Sequence, residues 1–321
     1  RKLNSAKLNF AAWGDIKAGK LQQIDVALSD NNVGWLKDGV WNKVALSDGY
    51  LRWVPMAKGW NLSSSPMTLS NSSQSWPGLQ LQLSQNELGY QASLQHLQLG
   101  VARPLLELFS DGSEQLQSLL AYQLDGKVDR VDLVTERDQW YLSGQFNEFS
   151  SAPVADVPGV KGFNGRFVAS PHFGWLGLKA QDGALQWGEA FSKDWTYKGA
   201  ELELAWRKRA GNWQILVPYL SLWQDAFSLE AELVVNLDDK PDMDLVAELH
   251  GVPVQNAEQF FPKFYMPESV INYLKPALVS GDVSSGKVLW SGDFSAYPYA
   301  EKDGVFQACL LYTSDAADEE D

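Results

Sequence analysis

Apolar and polar side chains alternate almost strictly between Glu201 and Leu249. From Phe227 to Leu237 every second residue is apolar, and Val234 is the only apolar residue at a polar position. Successive side chains of a β-strand point to opposite faces, so this spacing predicts strands with one apolar and one polar face. The predicted apolar face contains Leu202, Leu204, Phe227, Leu229, Leu233, Val235, Met243, Leu245 and Leu249.

Shorter alternating stretches recur along the rest of the chain, at Ile24–Leu28, Leu79–Leu83, Trp140–Phe146 and Trp213–Val217. Turn residues that are typical of antiparallel hairpins separate many of them. These are Asp48-Gly49, Asp125-Gly126, Asp182-Gly183 and Ala210-Gly211-Asn212. The segment Ser63–Pro77 is rich in Ser, Asn and Pro, which predicts a loop or an edge crossing. The pattern as a whole predicts a mostly β, meandering, antiparallel protein.

Two helical insertions are predicted within the strand series, at residues 101–125 and 251–280. In the first, Pro104 suits a first helical turn and Ser113 suits an N-cap. In the second, three prolines divide Asn256–Leu278 into short helices. Its apolar anchors include Phe260, Phe261, Phe264, Tyr265, Tyr273 and Leu274. The insertions are interpreted either as plugs that close the ends of a β core or as a mouth that covers part of the apolar face.

These insertions divide the chain into predicted segments. Residues 1–100 form a β-rich segment, residues 126–250 an antiparallel β segment, and residues 281–308 the start of a further β segment. The final stretch, residues 309–321, contains the peptide Cys-Leu-Leu-Tyr-Thr-Ser-Asp-Ala-Ala-Asp, which resembles a translated sequencing adapter and is set aside from fold reasoning. The chain is therefore expected to be an internal fragment of a longer protein.

Setting the tail aside changes the charge and the cysteine count. The formal net charge of −14 becomes −9, and the single cysteine, Cys309, is removed. An acidic chain without basic runs is unlike a nucleic-acid-binding protein. Without cysteine, the remaining 308 residues have no disulfide, thiolate or Cys-based zinc chemistry. No stretch approaches the roughly 20 apolar residues that a membrane-spanning helix needs.

No motif for catalysis or cofactor binding is found. The chain has no glycine-rich phosphate loop, zinc-binding helix motif or nucleophile elbow, and no metal site or cofactor is predicted. The three histidines, His96, His172 and His250, are far apart in the sequence. A glycosidase-like carboxylate pair stays open as an alternative because such pairs are assembled in space. The 14 tryptophans keep a carbohydrate-binding alternative open as well.

Several blocks of residues resemble a known family. They are Pro158–Gly165, Gly174–Leu178, Phe261–Pro267, Tyr273-Leu274, Ala277-Leu278, Ser280-Gly281, Leu289–Gly292, Tyr297-Pro298-Tyr299 and Gly304–Phe306. Their order and spacing resemble the YhdP family of AsmA-like proteins of the Gram-negative envelope. The resemblance extends from about Val101 to Ala308, and only general β character is shared before Val101.

The resemblance implies a fold and a function. It implies a long antiparallel, curled sheet that forms a β-groove, as in bridge-type lipid transfer proteins. It further implies an inner-membrane helix upstream, a periplasmic body and the carriage of phospholipid towards the outer membrane, without catalytic residues. The nine apolar residues would then line the groove and contact acyl chains. Exposing an acyl chain to water costs about 0.8 kcal/mol of free energy for each CH₂. The alternatives are a closed β-sandwich that binds or hydrolyses carbohydrate, and a passive envelope scaffold.

Overall fold

A computed structural model describes residues 3–37, 39–110, 113–155, 157–188, 193–225, 227–253, 282–293, 296, 299 and 303–313. The predicted helical block of residues 251–280 lies outside these residues, apart from residues 251–253, which end a strand. The six predicted anchors of that block, from Phe260 to Leu274, are therefore not described.

The described chain is mostly β, as predicted, and every strand pairing described below is antiparallel. The strands are β1 (Ser5–Lys7), β2 (Phe10–Lys17), β3 (Lys20–Leu28), β4 (Asn31–Lys37), β5 (Val40–Ser47), β6 (Gly49–Met56), β7 (Gly59–Ser64), β8 (Met67–Asn71), β9 (Ser75–Gln85), β10 (Tyr90–Gln98), β11 (Asp125–Glu136), β12 (Gln139–Ser151), β13 (Gly159–Ala169), β14 (Phe173–Gln186), β15 (Trp195–Arg209), β16 (Asn212–Trp223), β17 (Ser228–Leu237), β18 (Asp242–Pro253), β19 (Asp282–Asp293) and β20 (Val305–Thr313). The helices are α1 (Leu99–Phe109) and α2 (Glu114–Ala121), both within or next to the first predicted insertion.

The chain divides into two compact units. Unit 1 contains Arg1–Ser151 and Arg166–Pro171, and unit 2 contains Ala152–Gly165 and His172–Asp321. In unit 1 a large sheet runs in the order β2–β3–β6–β7–β9–β10–β11–β12. A smaller sheet runs in the order β1–β4–β5–β8 and pairs with the first residues of β9. Strand β9 is therefore shared by the two sheets.

Unit 2 has a simpler topology, because neighbours in sequence are neighbours in the sheet. Each strand from β14 to β20 pairs with the next one along the chain. Short connections join β15 to β16, β16 to β17 and β17 to β18, as is usual for consecutive antiparallel pairing, whereas residues 254–281 separate β18 from β19.

The core of unit 1 lies between the smaller sheet and helix α1. It contains the buried side chains of Trp35, Val44, Leu69, Leu79, Val101 and Ala102. The prediction that Ser63–Pro77 forms a loop is wrong, because this segment contains β8 and parts of β7 and β9. Met67 and Leu69 of β8 are 1% and 4% exposed, and burial of these two alternating side chains explains why a Ser-rich segment forms a strand.

Helix α1 begins at Leu99, so the prediction that Pro104 occupies the first helical turn is also wrong. Pro104 is the sixth residue of the helix and has no N–H to donate to the carbonyl of Gly100. The side-chain amide of Asn71 donates to that carbonyl at 3.4 Å, and to the carbonyl of Val101 at the same distance. A hydrogen bond from β8 therefore replaces the one that proline removes. The predicted cap of α2 is present, since Ser113 Oγ accepts from Leu116 N–H.

We expect Asn71→Ala to destabilise unit 1 because it leaves the Gly100 carbonyl without a donor. In a Pro104→Ala background the new backbone N–H supplies that donor. The loss in the free energy of unfolding on Asn71→Ala should therefore be about 1 kcal/mol smaller in that background. Urea unfolding of the four chains of this double-mutant cycle measures the difference. Equal losses in both backgrounds would show that Asn71 acts only through its turn contacts with Ser73 and Gln74.

Two of the four predicted turns are irregularities within or at the end of strands. Asp48 and the Ala210-Gly211 pair lie between strands as expected, with positive φ at both sites. Asp182 has a φ of 49° but lies inside β14. Gly126 has a φ of 130° beside a register shift at the start of β11. Residues that favour positive φ therefore mark bends of a strand here as well as its ends.

Candidate functional site

Unit 2 contains rows of apolar side chains that cross its strands. Residues paired directly across antiparallel strands point to the same face of a sheet. One apolar row therefore crosses seven strands, from β14 to β20. It consists of Leu178, Leu202, Leu220, Ala231, Ala247, Val288 and Ala308. We call the face that carries this row the apolar face of unit 2.

The predicted apolar residues occupy further positions on this face. On β17 and β18, Leu229 pairs with Leu249 and Leu233 with Leu245. Val235 pairs with Met243 in the same register. Leu202 belongs to the row above, and Leu204 pairs with Leu176 on β14. Phe227 directly precedes β17 and is 7% exposed.

The eight predicted residues other than Phe227 are half-buried. They are more exposed than Trp35 of unit 1, which is buried. They are less exposed than Glu230 and Glu232, which alternate with them along β17. Unit 2 contains no helix among its described residues that could cover them. The residues are therefore brought together on one face, whereas their role as contacts for a lipid stays a prediction.

The opposite face of unit 2 is mainly polar. A polar row crosses the six strands from β14 to β19 one position away from the apolar row. It consists of Lys179, Glu201, Ser221, Glu230, Glu248 and Lys287. Two ion pairs lie along it, Lys179–Glu201 at 3.1 Å and Lys287–Glu248 at 2.6 Å. The hydrogen bond from Lys287 keeps the pKa of the Glu248 carboxyl below its ordinary value.

A chain of side-chain hydrogen bonds reinforces this polar face. Arg207 donates to Gln214 at 2.8 Å, Gln214 donates to Asn236 at 2.7 Å, and Asn236 donates to Asp242 at 2.7 Å. These four residues lie directly opposite one another on β15, β16, β17 and β18. The alternation is imperfect, because Val246 on this face is 49% exposed.

Several tryptophans that suggested a sugar-binding surface pack within the sheet. Trp206 covers Gly174 of the neighbouring strand, and a Cβ added at Gly174 would lie 2.0 Å from the indole ring. Trp187 and Trp195 pack against each other with ring centroids 4.9 Å apart. Asp242 and Asp244 are already bonded to Asn236 and Ser291. These contacts give both residue types a structural role on the sheet.

Unit 1 has an apolar face of the same kind, which sequence reasoning did not identify. One row crosses β3, β6, β7, β9, β10, β11 and β12. It consists of Ile24, Trp53, Leu62, Leu83, Ala92, Leu133 and Leu142. The row on the other face of these seven strands consists of Asp25, Arg52, Ser63, Gln82, Ser93, Asp132 and Ser143. The signal was present as alternation in each strand, but the strand partners were not known.

The polar face of unit 1 holds one buried charge. Asp25 is 2% exposed and accepts hydrogen bonds from Arg52 at 2.8 Å and from Gln23 at 2.7 Å. The hydrogen bond between Arg52 and Asp25 raises the pKa of the Arg52 guanidinium. Because the carboxylate is paired and hydrogen-bonded, it fits a structural role in joining β3 to β6.

The described residues contain no group of three or more His, Cys, Asp or Glu side chains that could hold a metal ion. Tyr197 is buried, and burial raises its pKa to about 12. Its hydroxyl donates to the carbonyl of Lys161 at 3.1 Å and its ring packs against Phe163, so it anchors β13 to β15. Within the described part of the chain, neither helix has the length and apolar character to cross a membrane.

A curated protein can be aligned with almost the whole length of the chain. The chain is 18% identical over 326 aligned positions to a protein of Escherichia coli (strain K12) that is named intermembrane phospholipid transporter YhdP. That alignment covers 96% of this chain and 26% of the relative, so the chain spans about a quarter of the length of the curated relative it matches. No solved structure matches the chain.

The family match covers more of the chain than the blocks that resemble the family. The family model described as YhdP protein matches residues 1–310. The first hundred residues, which had shared only general β character, are thus included, and the earlier limit near Val101 is wrong. Since the match covers nearly the whole sequence, the chain belongs to the YhdP family.

Proposed function

We propose that this chain is a segment of a phospholipid-transfer protein of the cell envelope, and that its apolar strand faces carry acyl chains. The observation that supports the proposal most directly is the apolar row of unit 2, which crosses seven strands without a charged residue. A matching row in unit 1 adds support. The E. coli relative is named as a transporter of phospholipid between membranes, and this is a family of transporters and not of enzymes.

Physical chemistry explains why continuity of the apolar face matters for such a function. Moving an acyl chain from a membrane into water costs about 0.8 kcal/mol of free energy for each CH₂ that water contacts. A lining that changes little from one strand to the next keeps this cost low at every position along the route. Half-buried leucine and valine side chains suit the purpose because they contact a ligand without specific hydrogen bonds. No cofactor is needed for this process.

The finer parts of the proposal concern the whole protein and the predicted segments. We propose a periplasmic location, an inner-membrane anchor upstream, and transfer between the inner and outer membranes along a β-groove. The nine predicted residues of unit 2 would contribute to the groove lining. The anchors from Phe260 to Leu274 would cover an open edge of it, in a block that lies outside the described residues. The carbohydrate alternatives have less support because Trp206 packs on the neighbouring strand and both Asp242 and Asp244 accept hydrogen bonds within the sheet.

The proposal predicts that the chain, purified gently from envelope, carries phospholipid. Native mass spectrometry should show protein with added masses of intact phospholipids, and lipid extraction should identify them. The matched control is the same preparation after exchange into a detergent that strips lipid and renewed exposure to vesicles of phosphatidylethanolamine, which should restore the added mass. A folded chain that carries no lipid before or after exposure to vesicles would contradict the proposal.

A further inference from the structure

Unit 1 contains an apolar cavity of about 570 Å³ between its two sheets and helix α1. Three elements form its walls. The smaller sheet contributes residues such as Val44 and Leu69, the large sheet contributes Leu81 and Leu94, and helix α1 contributes Ala102 and Leu105. The cavity lies on the apolar face of unit 1, because Leu81 pairs with Leu94 two positions from Leu83 and Ala92 of the apolar row. The smaller sheet and helix α1 add walls to this part of the face.

The lining leaves almost nothing for a polar ligand to bind. Among the described residues, the polar ones in the lining are Asn31 and Asn32. The side-chain amide of Asn31 is fully used, since its oxygen accepts from Asn9 N–H and its nitrogen donates to the carbonyls of Asn9 and Ser29. A sugar, a nucleotide or a peptide placed in this cavity would leave its own hydrogen-bonding groups unsatisfied, at a cost of about 1–3 kcal/mol for each group. The chemistry of the walls therefore selects a hydrocarbon.

The size of the cavity limits how much hydrocarbon it holds. An apolar cavity of about 150 Å³ is known to accommodate benzene, which has six carbon atoms. By proportion, a cavity of about 570 Å³ accommodates on the order of 20 carbon atoms. This is enough for one fatty acyl chain and too little for the two chains of a phospholipid.

We infer that this cavity is a binding site for a single acyl chain. The inference rests on the proposed function in its choice of a lipid as the ligand, and it adds a defined site on the apolar face of unit 1 and a stoichiometry of one acyl chain. The polar end of the ligand would lie near Leu8, which lines the cavity and is 72% exposed. The ion pair between Lys7 and Asp30, with its atoms 2.8 Å apart, lies next in sequence to the lining residues Leu8 and Asn31 and keeps that end polar.

The test uses the whole 321-residue chain and palmitate that carries a photoreactive diazirine on its hydrocarbon chain. After illumination, mass spectrometry of proteolytic peptides maps the labelled residues. We expect labels on the peptides that contain Leu94 and Leu105, and we expect one equivalent of unlabelled palmitate to suppress them. Absence of labels on these peptides in the unaltered chain, or a requirement for two equivalents, would overturn the inference whatever the variants below do.

Two variants make the test specific to the cavity. Ala102→Phe places a ring in the cavity and should lower the labelling of these peptides at least tenfold. Ala121→Phe makes the same change at an exposed end of α2 and should leave the labelling unchanged. Equal labelling in the two variants, with both chains folded, would also overturn the inference. Should Ala102→Phe fail to fold, the map and stoichiometry of the unaltered chain still decide the question.

A second probe separates this inference from the proposed function. Phosphatidylethanolamine with a diazirine on one acyl chain should label the same peptides if the ligand is one tail of a phospholipid. Labelling by palmitate alone would support a single-chain lipid as the ligand and remove the link to phospholipid. If the chain carries no phospholipid on unit 2 but the labelling of the cavity is unchanged, the proposed function fails and the inference about the cavity stands.

Discussion

A chain with Leu229 and Leu245 both changed to Asp should fold and yet carry little phospholipid. The two leucines lie on neighbouring strands, opposite Leu249 and Leu233, in the middle of the apolar face of unit 2. Both are half-buried, so water reaches the new carboxylates in the absence of lipid. A bound acyl chain would remove that water and leave two charges without partners, which is costly. We expect at least about a tenfold loss of bound lipid, equivalent to about 1.4 kcal/mol or more.

The matched control places the same charges one residue away. Ser228→Asp and Val246→Asp alter the neighbouring positions, which point to the polar face, and should leave bound lipid unchanged. Native mass spectrometry measures the lipid and circular dichroism measures the fold. Unfolding of the first variant would mean that the face is a closed core and that the conduit proposal fails for this segment. Full lipid occupancy in a folded first variant would remove these leucines from the proposed path.

The apolar face of unit 2 could be predicted because two simple regularities coincide there. The sequence alternates with a period of two on β17 and β18, and each strand pairs with the next one in sequence. On these two strands parity alone assigns a side chain to a face. On β16 it does not, because Val217 and Leu220 flank a register shift and both lie on the apolar face. Val246 shows the limit of the argument, since its exposed apolar side chain lies on the polar face.

Unit 1 could not be assembled in this way because its pairing is not sequential. Strand β3 pairs with β6, and β7 pairs with β9, so the strands between them belong to another sheet. The row that joins Ile24, Trp53 and Leu62 therefore depends on contacts distant in sequence. A single sequence carries alternation within each strand but no record of which strands meet.

The local rules that failed did so for two different reasons. Pro104 is poorly suited to the middle of a helix, but Asn71 of β8 supplies the lost hydrogen bond. Asp182 suggested a turn, but it lies inside β14, where the positive φ produces an irregularity and the strand continues. In neither case did the residue type alone determine the element around it.

The largest loss of stability should follow from Trp35→Ala. Trp35 lies on β4, is 0% exposed, and belongs to the cluster that joins the smaller sheet of unit 1 to helix α1. Removing a fully buried indole costs about 3–5 kcal/mol through lost burial and the cavity left behind. Trp41→Ala is the matched control, because Trp41 lies on the adjacent strand, faces away from this cluster and is 48% exposed. It should cost about 1 kcal/mol or less.

Trp35→Phe tests which part of the ring matters. The buried indole N–H of Trp35 has no hydrogen-bond partner among the described residues, and such a group costs about 1–3 kcal/mol. Phenylalanine keeps much of the apolar surface and removes that unsatisfied donor, so its loss of stability should be well below that of alanine. Urea unfolding followed by tryptophan fluorescence gives the three midpoints. A midpoint for Trp35→Ala equal to that of Trp41→Ala would mean that the smaller sheet is not held by this side chain, and that the walls of the cavity in unit 1 depend on other contacts.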